Sequence, residues 1–165
     1  MTAPSKRSAV RSYLQKVYKL VSTMGHQPIN GYCCLDHFVL VNGIFMRPCP
    51  KRHWPASAVQ GPVGECFRNA ALLAFENPGL IYCEGYAMSL LPVLHAWVVT
   101  SKGRVIDITW SRRGTEYYGV AIRTDYLRQQ VKKQKTYGLI DQPVYDWPLL
   151  RAPVKQWRHP IMEAI

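Results

Sequence analysis

A chain of 165 residues, 48% hydrophobic and 19% charged, is long enough for one ordinary core and too apolar to be disordered. It holds no run of about 18 apolar residues, which excludes a membrane-spanning helix, and its net charge of +11 excludes a strongly acidic surface. The charge is uneven: residues 1–55 carry eight Lys/Arg and one acid, residues 56–110 three and four, and residues 111–165 ten and five. Such flanks suit an acidic protein, nucleic acid or anionic lipid, or form a solvated face.

Residues 1–13 are polar and basic and lack the apolar block of a secretory signal. The cysteines at 33, 34, 49, 66 and 83 are odd in number, in a chain too large to need staples. A reducing, cytoplasmic setting with free thiols is expected. The whole of 1–165 is read as a single domain, with 1–7 flexible and oligomeric state open.

The first expected element is an amphipathic helix within residues 8–24. Val10, Tyr13, Leu14, Val17, Tyr18, Val21 and Met24 fall at helical spacing, and Gly25 is a stop signal. Phe38–Met46 reads as a hairpin about Asn42-Gly43, a pair that tolerates positive φ. Four prolines between 48 and 62 mark a loop. Glu65–Glu76 reads as a helix with an apolar stripe of Phe67, Ala71, Ala74 and Phe75. Strands follow at Leu80–Ala87, Val93–Thr100 and Arg104–Ile108, the last two joined at Lys102-Gly103. Thr124–Gln134 reads as a short helix capped by Thr124. The proline-rich stretch 141–165 reads as an extended tail packed by its aromatics. The fold class is therefore α+β, a helix on an antiparallel sheet.

The chemistry-bearing residues lie in 60–110, the catalytic core of this reading. Cys66 opens a helix, and a thiol there is activated by unpaired N–H groups and the helix dipole. Gly64 permits the close turn into the helix and leaves room for a substrate backbone. A histidine beside the thiol completes a thiolate–imidazolium pair, and a carboxylate on the far ring nitrogen fixes its tautomer. Antiparallel strands joined at 102–103 pair residues whose numbers sum to about 202–205. His95 and Asp107 meet that condition. Glu84 is either an exposed strand residue or an acid in the substrate cleft. Trp97 and Trp110 are core or cleft-wall aromatics, since they alternate with the site residues along their strands.

The stretch Gln60-Gly61-Pro62-Val63-Gly64-Glu65-Cys66-Phe67 resembles the nucleophile region of papain-type enzymes. His95-Ala96-Trp97 followed by Asp107-Ile108-Thr109-Trp110 is similar to the transglutaminase-like branch of that superfamily, as is Glu84-Gly85-Tyr86. The resemblance covers about residues 60–110. It implies a papain/transglutaminase-like fold, a Cys66–His95–Asp107 triad, and an oxyanion hole built from the Gln60 side chain and the Cys66 N–H. The 29-residue gap from Cys66 to His95 and the use of Asp as third member both depart from papain proteases.

The expected function is that of a thiol hydrolase or acyl-transfer enzyme on a peptide, protein or other acyl substrate: protease, amidase or transglutaminase-like. It calls for no cofactor and no metal. Cys34-x2-His37 and Cys49-x3-His53 have zinc-like spacing but fall on a strand start and a loop. The rival is a non-enzymatic module holding nucleic acid or an acidic protein through Arg112, Arg113, Tyr117 and Tyr118.

Overall fold

The computed structural model describes residues 8–25 and 27–165, so the expectation for residues 1–7 lies outside it. The first helix, α1 (Ala9–Ser22), starts where the Ser8 hydroxyl accepts the Arg11 N–H at 3.1 Å. It buries Val10 and Leu14 fully, whereas Met24 lies beyond it and is exposed.

The expected hairpin does not form. Its first half is a helix, α2 (Leu35–Asn42), and only then comes a strand, β1 (Ile44–Pro48). The Cys34 thiol caps α2 by accepting the His37 N–H at 3.4 Å, and Asp36 sits in the first turn. Asn42 is drawn into the helix by donating to the Phe38 carbonyl at 2.9 Å and the Tyr32 hydroxyl at 3.0 Å. Gly43 is then extended, at φ −81°, so Asn42-Gly43 makes no turn of positive φ.

The next helix, α3 (Cys66–Glu76), lies where the sequence places it. Its buried stripe is rotated from the expected one. Cys66, Asn69, Ala70, Leu73 and Ala74 face inward with Ala71, while Phe67 and Phe75 are half-buried. The helix packs on β2 (Leu80–Met88) and β3 (Pro92–Thr100), which pair antiparallel from Leu80–Thr100 to Met88–Pro92. β4 (Arg104–Ile106) pairs antiparallel with β3.

The sheet does not end there. β5 (Glu116–Ile122), an aromatic and β-branched run not anticipated from sequence, pairs antiparallel with both β2 and β1. β1 lies parallel to β4, and the five strands close in the order β1-β4-β3-β2-β5. The sheet is thus closed, with one parallel pair, and not a plain antiparallel sheet. Closure this tight needs strands to approach without side chains at a bend. Gly85 and Gly119 face each other there, and a Cβ on Gly85 would lie 2.4 Å from the Gly119 Cα. Trp97 fills the interior by donating its indole N–H to the Met46 sulfur at 3.4 Å and meeting Tyr117 edge-on at 5.2 Å. These three residues come from β3, β1 and β5, so the contacts cross the barrel.

After β5 comes α4 (Thr124–Gln134), with Arg123 rather than Thr124 in the cap position. The stretch 141–165 is not extended. It forms 3-10 turns at Pro143–Tyr145 and Pro160–Glu163 and short helices α5 (Pro148–Arg151) and α6 (Val154–Trp157). Pro143, Pro148 and Pro160 each open a helical turn, the position where a missing N–H costs nothing. Trp157 is fully buried against Phe38.

Glu84 is neither exposed nor in a cleft: it is wholly buried. Its Oε1 accepts the Tyr82 hydroxyl at 2.6 Å and the Leu139 N–H at 2.7 Å, and its Oε2 accepts the Ile140 N–H at 2.9 Å. The carboxylate thereby clamps the chain after α4 onto β2. Burial pushes its pKa up to about 7, against the pull of these three donors. An acid with a raised folded pKa adds stability that is complete below its unfolded value of 4.5 and is lost as pH rises through about 7. Glu84→Gln removes that dependence, so the stability gap between wild type and variant should narrow from acid to neutral pH. Glu84→Ala leaves three donors unmet and should cost roughly 3 kcal/mol or more. Urea unfolding across this pH range tests both.

Candidate active site

His95 and Asp107 meet at the end of the barrel. β3 pairs Val98 with Ile106 and Val99 with Val105. In that register Asp107, one residue past β4, falls opposite Trp97 and diagonal to His95. His95 Nε2 lies 2.9 Å from Asp107 Oδ2, with both side chains almost fully buried. This leaves Nδ1 as the ring nitrogen available to another group.

Asp107 collects more than one donor. Its Oδ2 also accepts the Tyr117 hydroxyl at 3.0 Å, and its Oδ1 accepts the Thr109 N–H at 3.0 Å and the Trp110 N–H at 3.4 Å. Tyr117 is in turn fixed by accepting the Gly114 N–H at 2.9 Å. Sequence reasoning missed Tyr117 as part of the site. The signal was the β5 run Tyr117–Ile122, whose recognition as a strand would have brought a tyrosine beside the carboxylate.

Cys66 stands at the first turn of α3, 8% exposed. The helix N-terminus is held to the Asp107 segment by Asn69, which donates to the Pro62 carbonyl at 2.8 Å and the Thr109 hydroxyl at 3.0 Å. Gly64 makes the turn before it at φ +86°, a region where glycine is at ease. Burial would lower the His95 pKa, but the hydrogen bond to Asp107 and the neighbouring Cys66 outweigh it and push it up to about 9. The Trp110 ring stacks on the imidazole at 4.1 Å, which further favours a cationic ring. A protonated imidazole paired with a carboxylate, with a thiol in its neighbourhood, can stabilise a thiolate and later deliver a proton.

The other expected site residues divide. Gln60 approaches from the loop, its Nε2 donating to the Thr109 carbonyl at 3.0 Å, while the Gly61 N–H donates to the Ile108 carbonyl at 2.9 Å. Trp110 is half-buried over His95 and Gly64 is exposed beside Cys66, so both border the site. Glu84 and Trp97 are core residues at 0% and 1% exposure and cannot wall a cleft. Tyr117 and Tyr118 are buried too, so they give no stacking platform for bases. A concavity of about 290 Å³ adjoins the site, lined by Glu65, Phe67, Leu94 and Tyr137 among others. Of the zinc-like pairs, Cys34 caps α2 and Cys49 is buried, and among the described residues no three metal-ligating side chains cluster. No described helix is long and apolar enough to cross a membrane. Neither a family model, nor a curated protein, nor a solved structure matches the chain.

The raised His95 pKa has a consequence for stability. A histidine raised from 6.5 to about 9 contributes fully below 6.5, and the contribution is lost as pH rises through about 9. Asp107→Asn should shift the His95 titration to lower pH and flatten that alkaline loss. Tyr117→Phe removes a competing donor from Asp107 Oδ2 while the backbone N–H groups still hold Oδ1, so it should leave the His95 titration at or above its wild-type position. Ring-proton NMR titration of His95 in the three proteins checks the order.

Proposed function

We propose that the chain is a cysteine-nucleophile enzyme of the papain/transglutaminase-like kind, acting on an amide, isopeptide or ester bond. The observation that carries this reading is the buried 2.9 Å contact between His95 and Asp107 beside the Cys66 end of α3. A helix headed by cysteine, followed by antiparallel strands bearing histidine and aspartate, supports the fold side of the reading.

In this mechanism the Cys66 thiolate attacks the carbonyl carbon. A C–S bond forms, and the carbonyl π pair moves onto oxygen. The Cys66 N–H, one of the helix N–H groups without an intrahelical partner, and the Gln60 amide receive that oxyanion. The tetrahedral adduct collapses, the C–N or C–O bond breaks, and the His95 imidazolium protonates the departing amine or alcohol. His95, now neutral, takes a proton from the incoming nucleophile, which attacks the thioester and releases the Cys66 thiolate. Water as nucleophile gives a protease or amidase, and an amine gives a transglutaminase-like acyltransferase. Asp107 keeps the imidazole in the tautomer and orientation for both transfers.

At mildly acidic pH iodoacetamide should label Cys66 faster than the other four cysteines, because in this reading the His95 imidazolium holds Cys66 as a thiolate. Cys66→Ala should abolish reaction with acyl probes at a stability cost of about 1 kcal/mol. Gln60→Ala should slow it by about 10²–10³-fold, and Asp107→Asn by more. Adding either change to Cys66→Ala should have little further effect. Undiminished turnover in a Cys66→Ala protein shown by circular dichroism to be folded would end the reading.

A further inference from the structure

Six exposed cations lie on the paired strands β1 and β4 and the loops next to them: Arg47 and Arg104 on the strands, and Lys51, Lys102, Arg112 and Arg113 in the loops. Arg47 and Arg104 are register partners on adjacent parallel strands. Like charges placed directly opposite on a sheet repel, and the four ion pairs of the described residues include none of the six. Two concavities open on this basic surface. One, of about 360 Å³, is lined by Arg47, Lys102 and Arg104 with Phe45. The other, of about 630 Å³, is lined by Lys51, Arg112 and Arg113 and contains no acid. β1 runs from the first into the second, with Phe45 and Arg47 at one and Pro48 at the other. Arg113 is held in place by donating to the Cys49 carbonyl at 3.1 Å, and the loop that carries it is tied down where the Thr115 N–H donates to the Met88 carbonyl at 2.7 Å.

We propose that this face docks an acidic segment of the protein substrate. The loop bearing Arg112 and Arg113 begins next to Trp110, which stacks on His95, so a chain bound along the face leads to the candidate site. That the partner is a protein rests on the cysteine-enzyme reading. Carboxylates of the segment enter the two concavities, and their charge relieves the repulsion between Arg47 and Arg104. Nucleic acid fits less well. The buried Tyr117 and Tyr118 cannot stack on bases, Lys51 sits over the Trp54 ring, and Phe45, 41% exposed, is the one open aromatic among the residues lining the concavities.

The test uses the full chain carrying Cys66→Ala, so that binding is read without turnover and does not depend on the nucleophile. A fluorescein-labelled poly-glutamate peptide should bind in an anisotropy titration, and binding should weaken steeply with salt. Arg47→Glu with Arg104→Glu and Arg112→Glu should lower affinity by about tenfold or more. Lys132→Glu with Lys133→Glu, on α4, reverses charge elsewhere and should leave affinity within about twofold. Absence of binding, or equal loss in both charge-reversed proteins once circular dichroism shows them folded, overturns the proposal. Tighter binding of single-stranded DNA or RNA of matched charge overturns it in favour of nucleic acid. In a parallel assay on the wild-type chain, labelling of Cys66 by an acyl probe, with no peptide binding to the Cys66→Ala chain, defeats the docking face alone. Peptide binding without labelling defeats the enzyme reading, and with it the description of the partner as substrate.

Discussion

Asp107 is a carboxylate with 2% of its surface exposed, and a charge so placed must be met by donors or it will not stay ionised. The donors come from three parts of the chain: His95 on β3, Tyr117 on β5, and the backbone just after β4. Satisfying one side chain therefore fixes the relative positions of three strands at one end of the barrel. The hydroxyl of Thr109, placed by the same turn, accepts from Asn69 and so anchors the Cys66 end of α3. The imidazole has little freedom left once its Nε2 is engaged and Trp110 lies against its face. Local geometry at the candidate site follows from the solvation demand of a single carboxylate.

Glu84 faces the same demand and meets it differently. Its partners are a tyrosine hydroxyl and two backbone N–H groups, none of which titrates near neutrality. Asp107 shares its charge with a histidine that can become cationic. One carboxylate is thus suited to holding chain, the other to stabilising a proton on a neighbour. They are not independent, because the stretch that Glu84 clamps supplies Tyr137 to the concavity beside Cys66. Loosening the clamp would reshape that wall without touching the triad-like residues.

Much of this was legible in the sequence between residues 60 and 110. The helix at Cys66, the three strands that follow it in order, and the meeting of His95 with Asp107 follow from local period, a tight connection at Gly103 and antiparallel register. Those are short-range properties. The parts that misled are long-range. Phe38–Val41 is apolar enough for strand or helix, and the choice was made by a thiol cap at Cys34 and by Asn42 reaching back into its own helix. Nothing local announces that β1 will lie parallel to β4 or that two glycines, 85 and 119, will let the sheet close. Glu84 read as exposed or cleft-lining because its three partners lie on its own strand and some 55 residues away. The prolines of the last stretch were legible as chain breakers, but whether they break a strand or start a helical turn depends on what the turn packs against.

Charge divides the molecule along the same lines. The groups that would do chemistry are buried and mutually neutralising, a carboxylate against an imidazole, with aromatic rings around them. Most Lys and Arg side chains of the described residues lie on the surface, where water and salt confine their reach to about 8 Å. Arg113 sits between the two regions, bonded to the Cys49 carbonyl and close enough to Tyr117 to lower its pKa slightly against the burial that raises it. Cations placed further out do little to the protonation of His95. In the docking proposal they would act instead on approach, by raising the local concentration of an anionic chain and orienting it before contact. If the chain is the enzyme proposed, a basic surface around a buried, charge-balanced site would separate capture from reaction: salt should weaken the first while leaving the second nearly unchanged.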